Sequence, residues 1–388
     1  MGEPDGERLV REEASWQRAS FLELFFDLVF VFALNQVSLR LINDFNTGGR
    51  LQFGEAVATF LLFLALWMLW LATVALTSRL HPNSPLVQIM VFMSMAGAVV
   101  MAVAVSQGFE QQAFIFAAAY VAARMGRLLV ALAFRLWASI PVGLSIVVSA
   151  APWIVGALVD DLLLRSVLWA FAFALDYSGF VLGFQRSTGV PIAGEHLAER
   201  LQQFFLITLG EAVFVAGRAL TNSDFDIPHA VGFGLAFVST VLFWRVYFYR
   251  AGSTLASAIT RAQNAVRESV AVAGSHLLMI AGVVLAGVGF ELYIMGPLAQ
   301  PRPEFLVAIL GGPALFLAGR SLLQLQVFGQ VYRSRLAGLL ALGLLIPATW
   351  YLPPLAAGAA TTVVLAGIAG SDAWLVYRRG PTPPSPRI

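Results

Sequence analysis

Asp27, Arg124, Arg127, Asp176, Glu211 and Arg320 stand inside stretches of sequence that are otherwise almost wholly apolar. Ionisable groups in such surroundings hold each other as ion pairs, pass protons, or hold a charged solute. Facing hydrocarbon, each costs about 2.5–3.5 kcal/mol at the centre of a membrane helix. Six would cost on the order of 15–21 kcal/mol, against a net fold stability of about 5–15 kcal/mol. They must therefore face one another or a wet interior, and three acids against three arginines can compensate internally. Depth along the chain suggests the partners, with Asp27 and Arg127 in the inner third of their spans and Glu211 and Arg124 near the midplane. Acid–arginine contacts among these four are expected. Such pairs can also serve only to lock helices together, but six groups spread over five spans are more than a clasp needs.

Glu23 and Asp27 are four residues apart, hence on one helix face, with Asn35 and Gln36 further along. Two carboxylates this close can share a proton, the usual basis of proton coupling. Glu23 alone also suits an interfacial charge that snorkels to the headgroups. His196, Glu199 and Arg200 share a face by i, i+3 and i+4 spacing at the mouth of a later span. A histidine beside a carboxylate can shuttle protons or gate a solute, and the same residues can cap a helix and anchor a loop. Two ligands are too few for a zinc site, so neither a metal nor a cofactor is expected. His276 beside Ser275 reads first as a satisfied core histidine and second as part of a pathway, and Glu291 and Arg320 are similar singletons. Gly282, Gly287, Gly289 and the run Gly311-Gly312-Pro313 point to close helix packing. The last of these can also break a helix.

Several chemistries are excluded outright. All 24 basic residues are arginine and there is no cysteine, so Schiff-base, thiol and thiolate-metal chemistry have no residue to use. The net charge of +2 gives no electrostatic reason for a nucleic-acid partner. Neither substrate nor oligomeric state can be read from these residues.

The elements that position these groups follow from composition. Of 388 residues, 59% are hydrophobic and 12% charged, half the charge of an ordinary soluble domain at about 25%. With a mean hydropathy of +0.79, the natural solvent is a lipid bilayer. Apolar runs of roughly 20 residues recur twelve times, from Phe21–Ile42 to Leu355–Tyr377. They are apolar all round rather than alternating, which requires helices and not barrel strands.

The expected fold is an all-α membrane protein of about twelve transmembrane helices, in two six-helix halves related as a parallel repeat. The halves are 21–184 and 202–377, joined by a cytoplasmic linker at 185–201, with a polar tail at 1–20 and a proline-rich, disordered tail at 378–388. A surface helix is expected over about 250–269. The repeat rests on a faint echo, in which Glu23 and Asn35 open the first span at the same interval as Glu199 and Glu211 in the seventh. Arginines divide sixteen to five between alternate sides, with three inside spans. The richer side, which includes both termini, is therefore cytoplasmic.

Phe21-Leu-Glu-Leu-Phe-Phe-Asp-Leu-Val-Phe-Val-Phe-Ala-Leu34, with His196-Leu-Ala-Glu-Arg-Leu201 and Leu209-Gly-Glu-Ala212, resembles the bacterial low temperature requirement A (LtrA) family. Gly274-Ser-His276, Val288-Gly-Phe-Glu291 and Gly311-Gly-Pro-Ala314 continue the likeness over nearly the whole chain. The resemblance implies a polytopic bacterial inner-membrane protein without a settled activity. It marks Glu23, Asp27, His196, Glu199, Arg200, Glu211, His276 and Glu291 as motif positions. Phe26-Asp27 is also similar to the first-span Phe-Ser-Asp motif of the lysosomal-type potassium channels, with Phe26 in place of serine. Together these features lead to an expected transporter or channel for an ion or small solute, with a structural, sensory or lipid-facing role linked to cold growth as the alternative. An intramembrane enzyme is third. Epitope tags at either terminus should be reached only from the cytoplasmic side, and labelling of either tag from outside intact cells would reverse the orientation.

Overall fold

The computed structural model describes residues 19–47, 53–106, 108–133, 140–186, 194–248, 255, 259 and 265–379. Most of the N-terminal tail, the middle of the expected linker (187–193), most of the expected surface helix and residues 380–388 lie outside the described residues. Thirteen helices are described, and no strand accompanies them among these residues. They are α1 (Phe21–Thr47), α2 (Phe53–Thr77), α3 (Pro85–Val105), α4 (Ala113–Ala133), α5 (Ile140–Leu158), α6 (Leu162–Arg186) and α7 (Gly194–Thr221). There follow α8 (Ile227–Phe248), α9 (Ala265–Met295), α10 (Pro303–Ile309), α11 (Gly311–Phe328), α12 (Arg333–Thr349) and α13 (Pro354–Arg379).

Ten spans among the described residues are long and apolar enough to cross a membrane. Helices α10 and α11 together make one of them, Glu304–Phe328. The two expected spans outside this set are short. Only Gly143–Leu158 of α5 qualifies as an apolar helix, and the 17 residues of α12 reach about 26 Å against a hydrocarbon core of about 30 Å.

Local sequence explains the ends. The turn His81-Pro82-Asn83 separates α2 from α3, and Pro85 occupies the first turn of α3, where a missing N–H loses nothing. Gly329 closes α11 at φ 68°, a left-handed conformation that a side chain would strain, with its N–H bonded to the Leu325 carbonyl. The Gly311-Gly312-Pro313 run does less than the sequence suggests. Leu310 stays in right-handed helical backbone, and the Leu310 and Ala314 amides still bond to Leu306 and Leu310.

The chain forms two compact units, residues 1–40 with 52–200 and residues 41–51 with 201–388. In the first, α5 packs on α6, α3 on α4 and α4 on α5, while α2 packs against α3 and α6. The apolar stretch of α2 is 83% buried, which makes it the inner helix of that unit. In the second unit α9 has the inner place, packed on α11, α8 and α10, and α8 packs on α13. Many outward side chains are large and apolar, Leu163, Leu344 and Val363 among them, as a lipid solvent requires.

Contact between α9 and α11 is made by glycine. A Cβ at Gly312 would lie 2.5 Å from the Ala286 amide nitrogen, one at Gly319 2.8 Å from the Met279 nitrogen, and one at Gly282 would strike the Phe316 backbone. Small residues here let two backbones approach, the main packing attraction open to helices in lipid. Gly282→Val should therefore lower thermal stability in detergent by several degrees or abolish the folded peak in size-exclusion chromatography. Gly234→Ala, at an open position on α8, should leave both unchanged.

Candidate functional site

Two acids on α1 meet two bases on α7. Glu23 Oε1 lies 3.0 Å from His196 Nε2, and Arg200 Nη2 donates to Asp27 Oδ1 at 2.8 Å. Each acid meets the base 173 positions further along the chain. One helical turn separates the acids and one separates the bases, so these first turns run parallel. All four side chains are buried, none more than 1% exposed.

Helix α2 supplies the third wall. Trp70 Nε1 donates to Asp27 Oδ1 at 2.8 Å, and Ser78 Oγ lies 3.0 Å from His196 Nδ1. Glu23 also caps its own helix, with Oε2 accepting from the Ser20 amide at 2.8 Å and the Ser20 hydroxyl at 2.9 Å while Ser20 Oγ accepts from the Glu23 amide. This is a capping box. It holds the Glu23 carboxylate so that its other oxygen faces His196. When His196 Nε2 carries its proton, it donates to Glu23. Nδ1 then either accepts from Ser78 or, in the imidazolium, donates to it.

A second cluster surrounds Asp176 on α6. Arg124 and Ser149 contact Oδ1, while Tyr120 and Trp153 donate to Oδ2 at 2.9 Å each. Arg124 also donates to the Tyr120 hydroxyl at 2.8 Å. Trp153, Trp169, Phe109, Phe116 and Tyr120 pack ring on ring around it. The buried carboxylate thus has both oxygens bonded within an aromatic shell.

The expected pairing by depth is corrected by these contacts. Asp27 pairs with Arg200 rather than Arg127, and Arg124 with Asp176 rather than Glu211. Arg127 donates instead to the hydroxyls of Thr73 and Ser94. Helix depth is a single coordinate and does not say which faces meet.

The remaining candidates fall elsewhere. Asn35 and Glu199 are half-buried. Glu211 is fully buried on α7, beside Gly287 of α9. His276 accepts or donates at Nε2 to the Tyr247 hydroxyl, 2.7 Å away. Its Nδ1 meets the Val272 carbonyl at 2.8 Å, so Nδ1 carries a proton and the neutral ring accepts from Tyr247. Arg320 donates to the Val246 carbonyl at 3.2 Å. Glu291 is no singleton, because Arg218 reaches it at 2.5 Å. Among the described residues no group of three or more His, Asp or Glu is placed to hold a metal.

Sequence reasoning passed over several buried charges. Arg335 and Asp372 form an ion pair at 2.6 Å, both at most 1% exposed. Arg40 lies inside α1, not in a loop, bonded to Thr59, Glu55 and the carbonyls of Val105 and Ser106. Arg165 caps the carbonyls of Gly156, Phe109 and Val159. Asp372 and the Ser20-x-x-Glu23 box were visible signals. Arg40 and Arg165 sat near span ends, where an arginine ordinarily snorkels.

The bacterial low temperature requirement A (LtrA) family matches residues 18–370. The chain belongs to that family. An uncharacterised protein of Rhizobium meliloti (strain 1021) is 33% identical over 336 residues, covering 82% of this chain and 80% of its own. No solved structure matches. The family match makes this a bacterial multi-pass membrane protein, consistent with the inner membrane, and its buried acid–arginine pairs are part of an LtrA fold.

Removing one partner of a buried pair leaves a charge stranded in low dielectric, at about 3–5 kcal/mol. Arg200→Gln should therefore destabilise the protein strongly in detergent, and adding Asp27→Asn should recover much of that loss. Equal melting temperatures for the single and double variants would mean that the pair carries no coupling.

Proposed function

We propose that this LtrA-family protein is a transporter or channel for an ion or small solute, with buried acid–arginine pairs lining its path. Glu23, Asp27, His196 and Arg200 form the titratable end of that path. One observation carries the reading. Asp27 Oδ2, Arg200 Nε and Arg200 Nη1 are buried without a hydrogen-bond partner among the described residues. Charged atoms left in this state are strongly unfavourable. They are tolerated where a solute, an ion or water takes the open positions in the working cycle. Acids and bases stacked one turn apart also allow exchange of partners, so that a proton on His196 or Asp27 alters which contacts hold.

The Asp176 cluster favours a different role for part of the interior. Its carboxylate is bonded on both oxygens, as in a structural clasp, and it fixes α4, α5 and α6 around the working groups. Within this reading the fold has twelve membrane helices in two parallel six-helix halves, 21–184 and 202–377. Both termini lie on the cytoplasmic side of the inner membrane, and the repeat makes α1 and α7 equivalent. Glu211, His276 and Arg320 are the polar interior of the second half, with Asn35 and Glu199 on the two equivalent helices.

Purified protein in liposomes should conduct protons, a monovalent cation or a small anion above the protein-free rate. Asp27→Asn, which keeps the shape and removes the charge, strands Arg200 and should lower stability, and the fraction that folds should lose that flux at least about tenfold. A folded wild type with no flux of any of the three, or an Asp27→Asn variant with full flux, would transfer the favoured reading to a structural or sensory role.

A further inference from the structure

Arg127 is a buried-helix cation that the ion pairs described in the first unit do not reach. Arg40, Arg124 and Arg200 each reach a carboxylate, and Arg165 is spent on three carbonyls. Arg127 has no carboxylate among the described residues, and its bonds are to two hydroxyls. Nη1 donates to Thr73 Oγ1 at 2.7 Å and to Ser94 Oγ at 3.3 Å. Those hydroxyl protons are already committed, Thr73 to the Leu69 carbonyl at 2.8 Å and Ser94 to the Met90 carbonyl at 3.0 Å. Both oxygens can therefore only accept, and Thr73 and Ser94 are themselves at most 1% exposed.

Close packing sets this geometry. A Cβ at Gly97 of α3 would lie 2.5 Å from the Ala123 Cβ of α4, and Gly126 meets the Met93 side chain. Gly126 precedes Arg127 and Met93 precedes Ser94, so the same approach of α3 and α4 brings guanidinium and hydroxyl together. With Nη1 pinned, the Nε–H and Nη2–H edge has no acceptor among the described residues. That edge is the fork that matches a carboxylate with two parallel hydrogen bonds. Arg127 is half-buried where Arg124 is sealed. Arg124, one turn earlier, is neutralised by Asp176, so that carboxylate is not left for Arg127.

We propose that Arg127, held by Thr73 and Ser94, is a binding site for a small, planar, singly charged oxyanion of the monocarboxylate class. In low dielectric the bound anion supplies the compensation that no carboxylate among the described residues gives. The site rests on the transport reading only in that such an anion would be the solute carried, and binding can be measured without flux.

The probe is acetate, added to purified full-length protein in neutral detergent at constant ionic strength against chloride, with binding read from ligand-observed NMR and from the acetate-dependent rise in melting temperature. Wild type should bind saturably. Arg127→Gln should lose at least about tenfold in affinity, and Arg127→Lys, which keeps the charge but not the fork, should lose a similar factor. Thr73→Val should weaken binding while leaving the arginine in place, so the proposal remains testable if Arg127→Gln does not fold. Phosphatidylglycerol that displaces acetate in wild type would assign the fork to a lipid phosphate and overturn the solute site. Equal acetate affinity in wild type and the variants, or no binding by folded wild type, would also overturn it. Acetate binding without flux would leave the site standing and remove the transport reading. Flux without Arg127-dependent binding would do the reverse.

Discussion

Charge in a low-dielectric solvent must be answered by charge, and in this fold the answer is made side by side on parallel helix starts. Glu23 and Asp27 on α1 face His196 and Arg200 on α7 at a common register. Because each row is one helical turn, neither pair can form without aligning the other. The ladder therefore aligns the first turns of two helices whose apolar faces alone would tolerate sliding, since lipid and leucine solvate each other equally well. The capping box at Ser20 and Glu23 ties this alignment to the first turn of α1.

Around that ladder α2 acts as the polar reader of its unit. Trp70, Thr73 and Ser78 lie within about two and a half turns of one helix, and they address Asp27, Arg127 and His196 in turn. An indole or hydroxyl placed this way satisfies part of a charge without adding one. The contrast with Asp176 is chemical. Four donors close that carboxylate, whereas Asp27, Arg200 and Arg127 each retain open positions. Closed groups hold helices, and open groups have capacity left for a partner that comes and goes.

What the amino-acid sequence by itself determined is the solvent, the helical class and which residues had to be buried against their preference. Mean hydropathy and the all-round apolar runs leave no other architecture, and the penalty on Asp27, Arg124, Arg127, Asp176, Glu211 and Arg320 forces each to face a partner or a wet interior. The resemblance to the LtrA family marked Glu23, Asp27, His196 and Arg200 as motif positions, and helical spacing put each couple on one face within a short segment. The partners were not legible. Asp27 and Arg200 are 173 residues apart, and helix periodicity says which residues share a face but not which face another helix meets. Depth put Arg127 opposite Asp27, and tertiary packing decided otherwise: the close approach of α3 and α4 gave Arg127 to the hydroxyls of Ser94 and Thr73 instead. Side-chain spacing is a local property of the chain, whereas the choice of partner is set by the crossing of helices far apart in sequence, and only the folded bundle contains it.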